Sequence, residues 1–158
     1  MAQQQASKKK DVAEELTQVC SVRLGDGVYG IPIRHILEIV GSAHTQQVPL
    51  APEFVGGLMH YRGDVLTTVS LRRVLGMAAS EGTQDLLVIE HAEGCFGLLV
   101  DKVMEVRTVS SAEFEPNPST LNKQRHGLFA GAYKLDGGLM VMLNSERLEP
   151  MRQAMANE

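Results

Sequence analysis

Short apolar runs broken by glycine turns form the main pattern of this chain. Val, Ile, Leu and Met cluster in short runs, and turn dipeptides such as Asp26-Gly27 and Asp136-Gly137 separate them. This pattern is typical of short β-strands joined by tight turns, and it favours small β-barrels over a layered α/β fold. The predicted strands are residues 18–24, 28–32, 36–40, 65–69, 85–90, 95–100, 103–108, 127–134 and 139–143.

Helices are expected to be few and short. Ser70 can cap a short helix that runs to Leu75, and Gly76 suits the left-handed position that ends it. Residues 14–18 suggest a single turn, and Asn144 can cap another. Pro150 suits the first position of a C-terminal helix that continues to residue 155. The sequence therefore predicts a mainly β protein with a few short helices and a C-terminal helix.

Two blocks of the sequence repeat. Residues 28–40 match residues 95–107 at an offset of 67, and residues 62–75 match residues 136–149 at an offset of 74. Apolar, glycine and turn positions coincide in both blocks. The repeat predicts two similar five-stranded barrels that pack on each other, because each is too small for a large core of its own. A groove lined by both repeats is expected between them.

The predicted organisation of the chain follows from this repeat. A flexible tail covers residues 1–15, and a single domain covers residues 16–156. Within the domain we expect a first barrel of roughly residues 28–85 plus terminal segments and a second barrel of roughly residues 86–145.

Composition and charge exclude several classes of function. The chain has 158 residues, 44% of them hydrophobic, and a formal net charge of −4, which is ordinary for a folded domain. Mild acidity and a total of three tyrosines, four phenylalanines and no tryptophan argue against nucleic-acid binding. No apolar run approaches the length of a membrane span, and no apolar stretch follows the basic N-terminus as in a secretory signal.

No motif in the chain indicates catalysis, a metal or a cofactor. Residues 25–30 match G-x-G-x-x-G, but a strand-like segment follows, which indicates a hairpin rather than a dinucleotide site. The histidines, none of them at metal-ligand spacing, are His35, His44, His60, His91 and His126. Cys20 and Cys95 are interpreted as small buried apolar residues in a reducing compartment. A thiol enzyme using Cys95 stays as a rival hypothesis, as does an oligonucleotide-binding barrel.

Two charged residues stand in apolar surroundings. Glu38 interrupts the run HILEIV, and Arg62 follows GGLMHY. The commonest outcome for such residues is an outward position in solvent, and the sequence alone favours it. The alternative is a partly buried arginine–carboxylate pair near the groove.

The order of these motifs resembles the CheW-like domain of bacterial chemotaxis coupling proteins over about residues 18–150. The resemblance rests on the Gly-Ile-Pro-Ile strand, on Glu38-Ile39, on VPLAPEFVGGLMHYRGDVLTTVSLRRVLG and on LLVDKVMEV. The residues that fit the family's pattern are Pro52, Gly57, Arg62, Gly63 and Leu71. Thr67 and Ser70 stand where proline and aspartate are usual, which indicates a divergent branch.

The resemblance implies two SH3-like barrels that act as a non-catalytic adaptor. The implied partners are a CheA-type histidine kinase and the cytoplasmic tip of a methyl-accepting chemoreceptor, with no nucleic acid, cofactor or membrane insertion. The protein is then cytoplasmic and recruited to membrane receptor arrays. An adaptor of a pilus-motility pathway or of another chemosensory pathway is the alternative.

The resemblance also implies two sets of binding residues, carried over by position. The receptor-binding groove is expected at Ile36, Glu38, Gly57, Arg62 and Val100. The kinase-binding surface is expected at Ile39, Val40, His44, Thr45 and Val48.

Overall fold

The computed structural model describes residues 14–92, 94–118 and 127–149, which form a mainly β structure. The α-helix in these residues, α1 (Leu71–Val74), is one turn long, and 3₁₀ turns cover Ile33–His35 and Ser111–Glu113. The strands are β1 (Leu16–Leu24), β2 (Gly27–Pro32), β3 (Ile36–Val40), β4 (Val55–Tyr61), β5 (Asp64–Ser70), β6 (Asp85–His91), β7 (Gly94–Val100), β8 (Lys102–Ser110), β9 (Phe114–Glu115), β10 (Phe129–Leu135) and β11 (Gly138–Leu143).

The strands form two sheets, each of which curls into a small SH3-like barrel. The terminal sheet has the order β8-β1-β2-β11-β10-β9, and the central sheet has the order β3-β6-β7-β5-β4. Neighbouring strands are antiparallel except for β2 with β11 and β5 with β7, which are parallel. We call the barrels that these sheets form the terminal barrel and the central barrel. The expected architecture of two packed β-barrels is confirmed.

The two sheets have the same strand order, and each sheet contains strands from both sequence repeats. The repeat equates β2 with β7, β3 with β8 and β5 with β11, and the hairpins extend this to β1 with β6 and β4 with β10. Under this equivalence the orders β8-β1-β2-β11-β10 and β3-β6-β7-β5-β4 are identical. Each barrel therefore combines the first hairpin of one repeat with the last three strands of the other.

Glycine bulges at matching positions support this equivalence. The register of the β4–β5 hairpin shifts before Gly57, and that of the β10–β11 hairpin shifts before Gly131, 74 residues later. Their φ angles are +119° and +144°. A Cβ would lie 2.6 Å from the Gln46 carbonyl oxygen at the first position and 2.7 Å from that of Glu115 at the second. Both bulges therefore require glycine.

Three apolar cores hold the barrels together. The largest lies between the sheets and consists of Cys20, Val22, Leu24, Ile31, Val69, Leu71, Leu87, Ile89, Phe96, Leu98, Val100, Leu128, Leu143 and Leu148. The core of the terminal barrel consists of Val19, Val109, Met140 and Met142. The core of the central barrel consists of Leu66, Leu86, Val88 and Leu99. The shared core joins the two barrels through the burial of apolar surface.

The two sheets do not divide the chain near residue 85, where the repeat suggested a boundary. The β6–β7 hairpin lies in the middle of the central sheet, between β3 and β5. Alternate residues of β6 supply different cores, since Leu86 and Val88 enter the central barrel and Leu87 and Ile89 enter the shared core. A strand buried on both faces is a continuous apolar run, and such a run does not identify its neighbours.

The structure confirms all nine predicted strands and adds two. β4 was missed because its two glycines weaken the strand pattern, and β9 has only two residues. Residues 14–18 are not a helical turn, because β1 already begins at Leu16.

The predicted caps are present. The Arg73 N–H donates to Ser70 Oγ at 3.4 Å, and Gly76, with φ +76°, follows α1. The Glu146 N–H donates to Asn144 Oδ1 at 3.3 Å in the turn after β11. Most of the expected tail, the C-terminal helix from Pro150 and His126 lie outside the described residues.

Candidate functional site

A charged pair joins the two edge strands of the central barrel. Glu38 lies on β3, and Arg62 lies in the turn between β4 and β5. Arg62 Nη2 is 3.6 Å from Glu38 Oε1. The Arg62 side chain is 71% exposed and that of Glu38 is 39% exposed. The two alternatives drawn from the sequence therefore each hold in part, because the charges are paired and also remain at the surface.

Tyr61 contacts both members of this pair. The Arg62 guanidinium carbon lies 5.4 Å from the centre of the Tyr61 ring, within the range of a cation–π contact. The Tyr61 hydroxyl faces the Glu38 carboxylate. Burial, and after it the interaction with this carboxylate, raises the pKa of Tyr61. The phenol is therefore protonated at neutral pH and is available as a donor to the carboxylate.

The turn that carries Arg62 has an unusual backbone. Arg62 has φ +48° and Gly63 has φ +82°, a pair of left-handed residues as in a type I′ hairpin turn. The left-handed conformation costs a residue with a Cβ about 1–2 kcal/mol, and Asn or Gly is the usual choice at this place. Backbone strain of this kind is commonly found at functional positions.

The other three residues expected in the receptor groove are buried or half-buried. Val100 is fully buried in the shared core, and its role in receptor binding stays a prediction. Ile36 is half-buried and packs against the same core. Gly57 is buried in the β4 bulge, where its backbone passes close to Gln46.

An apolar pocket of about 620 Å³ opens on the central barrel. Three of the residues expected to bind the kinase line one side of it, namely Val40, His44 and Thr45. The opposite side comes from the β4–β5 hairpin, with Leu58, Met59, His60 and Val65. The structure therefore brings together part of the predicted kinase surface and adds to it residues that sequence analysis did not select.

Backbone hydrogen bonds fix the loop at the edge of this pocket. The Gln46 N–H donates to the Leu58 carbonyl at 2.8 Å, and the Leu58 N–H donates to the Gln46 carbonyl at 2.7 Å. Thr45 Oγ1 donates to the Gly56 carbonyl at 3.1 Å. These bonds attach the loop after β3 to β4 and hold the pocket open at its rim.

The remaining two residues of the predicted kinase surface are exposed outside the pocket. Ile39 is 45% exposed on β3, and Val48 is 38% exposed in the loop that follows. Leu37, also on β3, and Val65 are further exposed apolar side chains on this barrel. Exposed apolar side chains in such a group are typical of a protein-binding surface.

A second ion pair, between Arg72 and Asp101, braces the contact between the barrels. Arg72 Nε and Nη2 donate to the two carboxylate oxygens of Asp101 at 2.6 and 2.7 Å. The Gly25 N–H donates to the same carboxylate at 2.8 Å. The bonds from Arg72, with a smaller contribution from Gly25, lower the pKa of Asp101. Both side chains are mostly buried, and this pair is structural rather than a binding site.

The two cysteines differ in their surroundings. Cys20 is buried in the shared core, and this burial raises the pKa of its thiol. Cys95 is exposed near the start of β7, so its predicted burial is wrong. Both thiols are free. Within residues 14–92, 94–118 and 127–149, no group of three or more His, Cys, Asp or Glu side chains is arranged to hold a metal ion.

Sequence analysis missed Tyr61 and the hairpin side of the pocket. The signal that could have found Tyr61 was its place directly before Arg62, where a ring can reach the guanidinium. Leu58 and Met59 could not be told from ordinary core residues, because β4 was not predicted as a strand. Val65 begins a predicted strand, and its sequence did not reveal its exposure.

Two barrels built from one repeat, with an exposed ion pair beside an apolar pocket, define a protein-binding scaffold. Residues 18–151 of this chain match the CheW-like domain family. Chemotaxis protein CheW of Helicobacter pylori is 32% identical over 145 residues, which cover 90% of this chain and 87% of the relative. Chemotaxis protein CheW of Rhizobium meliloti is 28% identical over 138 residues, which cover 86% of this chain and 89% of that relative.

A solved structure has the same fold. The scaffolding protein TtCheW from Thermoanaerobacter tengcongensis matches with a TM-score of 0.74 at 22% identity, over 82% of this chain and 90% of that protein. The chain therefore belongs to the CheW-like domain family, and it is a chemotaxis adaptor of that family. In the part of the chain that the structure describes, no helix has the length and apolar character needed to cross a membrane.

Proposed function

We propose that this chain couples membrane chemoreceptors to a CheA-type histidine kinase by binding both partners, without catalysis of its own. It acts in the cytoplasm and is recruited to receptor arrays. The observation that carries the proposal is that the Glu38–Arg62 pair and the apolar pocket, predicted for different partners, share the β4–β5 hairpin.

The receptor surface is centred on Glu38 and Arg62. An accessible ion pair next to exposed apolar residues such as Leu37 can receive a helical hairpin that has both apolar and charged side chains. The charges determine which orientation of the hairpin fits, and the apolar contacts contribute most of the affinity.

The kinase surface is the pocket with its rim. Val40, His44 and Thr45 form one side, and Ile39 and Val48 extend the apolar area outside it. A pocket of about 620 Å³ can receive a few apolar side chains of a folded partner. Burial of these side chains supplies the driving force for docking.

The β4–β5 hairpin gives the two surfaces a physical connection. His60 lines the pocket, and the next residue, Tyr61, contacts the charged pair. A receptor that shifts Arg62 therefore acts on a strand that also forms the pocket wall. Coupling of this kind lets the state of the receptor bias the state of the kinase, with the adaptor as a rigid connection.

The test measures binding to each partner separately. Vesicles that display the cytoplasmic hairpin of a chemoreceptor from the same genome, and the purified CheA-type kinase, are each titrated with the chain. Glu38→Arg should weaken receptor binding about tenfold or more and leave kinase binding unchanged. His44→Glu should weaken kinase binding and leave receptor binding unchanged.

A matched control comes from the repeat. Glu105 occupies the position on β8 that corresponds to Glu38 on β3, and it pairs with Arg107 at 2.8 Å. Glu105→Arg makes the same change of charge on the terminal barrel and should leave receptor binding unchanged. Equal losses for Glu38→Arg and Glu105→Arg would show a general effect of charge and refute the receptor surface.

A further inference from the structure

Arg62 is held by two contacts with different physical origins. Its guanidinium lies over the Tyr61 ring at 5.4 Å, and its Nη2 lies 3.6 Å from Glu38. The second distance is too long for a direct hydrogen bond, and the side chain is mostly exposed. An exposed ion pair of this geometry does not by itself hold a long side chain in one position.

Tyr61 supplies the restraint that the ion pair lacks. A ring beneath a guanidinium limits its plane, and a hydroxyl that faces Glu38 offers a donor to the carboxylate. The protonated phenol keeps this donor available. One side chain thereby orients both charges, and it is itself fixed at the end of β4, where Tyr61 pairs with Asp64 across the hairpin.

The terminal barrel lacks the same arrangement. At the positions that correspond to Tyr61 and Arg62 it has Leu135 and Asp136, and Glu105 corresponds to Glu38. Neither an aromatic ring nor a cation stands at this turn, so the shared strand order alone does not produce the site. The arrangement therefore depends on the side chains of the β4–β5 turn.

We infer that Tyr61 is a positioning residue of the receptor surface, which orients Glu38 and Arg62 before the receptor binds. This inference rests on the proposed receptor surface. An ion pair that is ordered before binding loses less conformational entropy when the partner docks, so its orientation contributes directly to affinity.

The experiment uses the full chain and receptor vesicles as above. Tyr61→Phe keeps the ring and removes the hydroxyl that faces Glu38, and we expect receptor binding about threefold to tenfold weaker. Tyr61→Leu removes both contacts, and we expect about a tenfold loss or more. Tyr133→Phe is the matched control, because Tyr133 stacks edge-to-face on Phe114 at 5.1 Å in the terminal sheet. It should bind as the unchanged chain does, and kinase binding should be unaffected in all three variants.

A spectroscopic readout separates positioning from a general loss of structure. The chain has three tyrosines and no tryptophan, so fluorotyrosine labelling gives three ¹⁹F NMR signals. The Tyr61 signal is assigned by its loss in Tyr61→Phe. Glu38→Gln and Arg62→Lys should each shift it, and the signals of Tyr29 and Tyr133 should stay in place. Addition of the receptor hairpin should shift it as well.

The outcomes distinguish this inference from the proposed function. If Glu38→Arg leaves receptor binding intact, the receptor surface is wrong and the role of Tyr61 falls with it. If Glu38→Arg abolishes binding but both Tyr61 variants bind normally, the receptor surface stands and the positioning role is overturned. A Tyr61 signal that does not respond to Glu38→Gln overturns it as well.

Discussion

The central and terminal barrels share a strand order and a set of glycine bulges, but they differ in the charges at matching positions. At the hairpin turn the central barrel has Arg62, which pairs with Glu38, and the terminal barrel has Asp136, which cannot pair with Glu105. The exposed apolar side chains are duplicated, with Leu37, Ile39 and Val65 in one barrel and Met104, Val106 and Leu139 in the other. Strand order, glycine bulges and exposed apolar side chains therefore follow the repeat, whereas the charged site belongs to the central barrel.

A second difference lies where the barrels meet. Arg72 and Asp101 form a bidentate ion pair that is mostly buried. The residues at the corresponding positions, Glu146 and Arg34, have the opposite charges and are exposed. The same pair of positions thus has two roles. One pair braces the contact between the barrels, and the other remains in solvent.

The largest expected effect tests the shared bulges. Gly57→Ala and Gly131→Ala should each lower the free energy of unfolding by about 2–5 kcal/mol, because a Cβ meets a carbonyl oxygen at a left-handed φ. Urea unfolding measures both. Gly82→Ala, where a Cβ meets nothing within 4 Å, is the control and should change little. A large loss at only one bulge would break the equivalence of the barrels.

The Arg72–Asp101 pair and the charged residues at the corresponding positions give the next effect. Asp101→Asn should lower the free energy of unfolding by about 2 kcal/mol, because Arg72 and the Gly25 N–H lose a charged acceptor. Glu146→Gln should change it by less than about 0.5 kcal/mol, as expected for an exposed residue. Equal losses would mean that both pairs brace the fold.

The pH dependence of stability sharpens the same comparison. The pKa of Asp101 is lowered in the folded state, chiefly by Arg72, so its contribution to stability is present above the pKa of the unfolded chain. That contribution is lost as the pH falls below about 4 and the folded protein must take up a proton. When urea unfolding is measured at decreasing pH, the urea midpoint should decline more steeply for the unchanged chain than for Asp101→Asn. If the urea midpoints of the two proteins fall in parallel with pH, Asp101 is not the source of the pH dependence.

The smallest expected effect concerns the two hairpin turns. Arg62→Gly relieves a left-handed residue and should raise the free energy of unfolding by about 0.5–1 kcal/mol, while receptor binding is lost. Asp136→Gly relieves no such strain and should not stabilise. If Arg62→Gly destabilises the chain, the ion pair with Glu38 outweighs the backbone strain.

Much of the fold could be predicted because it depends on local signals. Glycine turns and apolar runs located nine strands, and Ser70 and Gly76 correctly marked the start and end of α1. The repeat predicted two barrels. It did not reveal that the hairpins are exchanged between them, because β6 is apolar on both faces and its sequence is compatible with either sheet.

The candidate site was only partly predictable. Glu38 and Arg62 were identified by their unusual apolar surroundings, and the resemblance to a family assigned them to the receptor. Val100 looked equally suitable, yet it is buried, because burial depends on which sheet covers a strand. The only signal for Tyr61 was its place directly before Arg62, since its role arises from a fold that brings β3 next to the β4–β5 turn.

The sequence by itself determined nine of the eleven strands that the structure describes, their turns and the duplication, because these follow from residue type and from spacing along the chain. The tertiary structure alone decided which strands are neighbours and which apolar side chains remain exposed. Pairing between distant strands depends on contacts that form only when both surfaces are present, and the pairing of Glu38 on one edge strand with the turn that follows the other edge strand is such a contact.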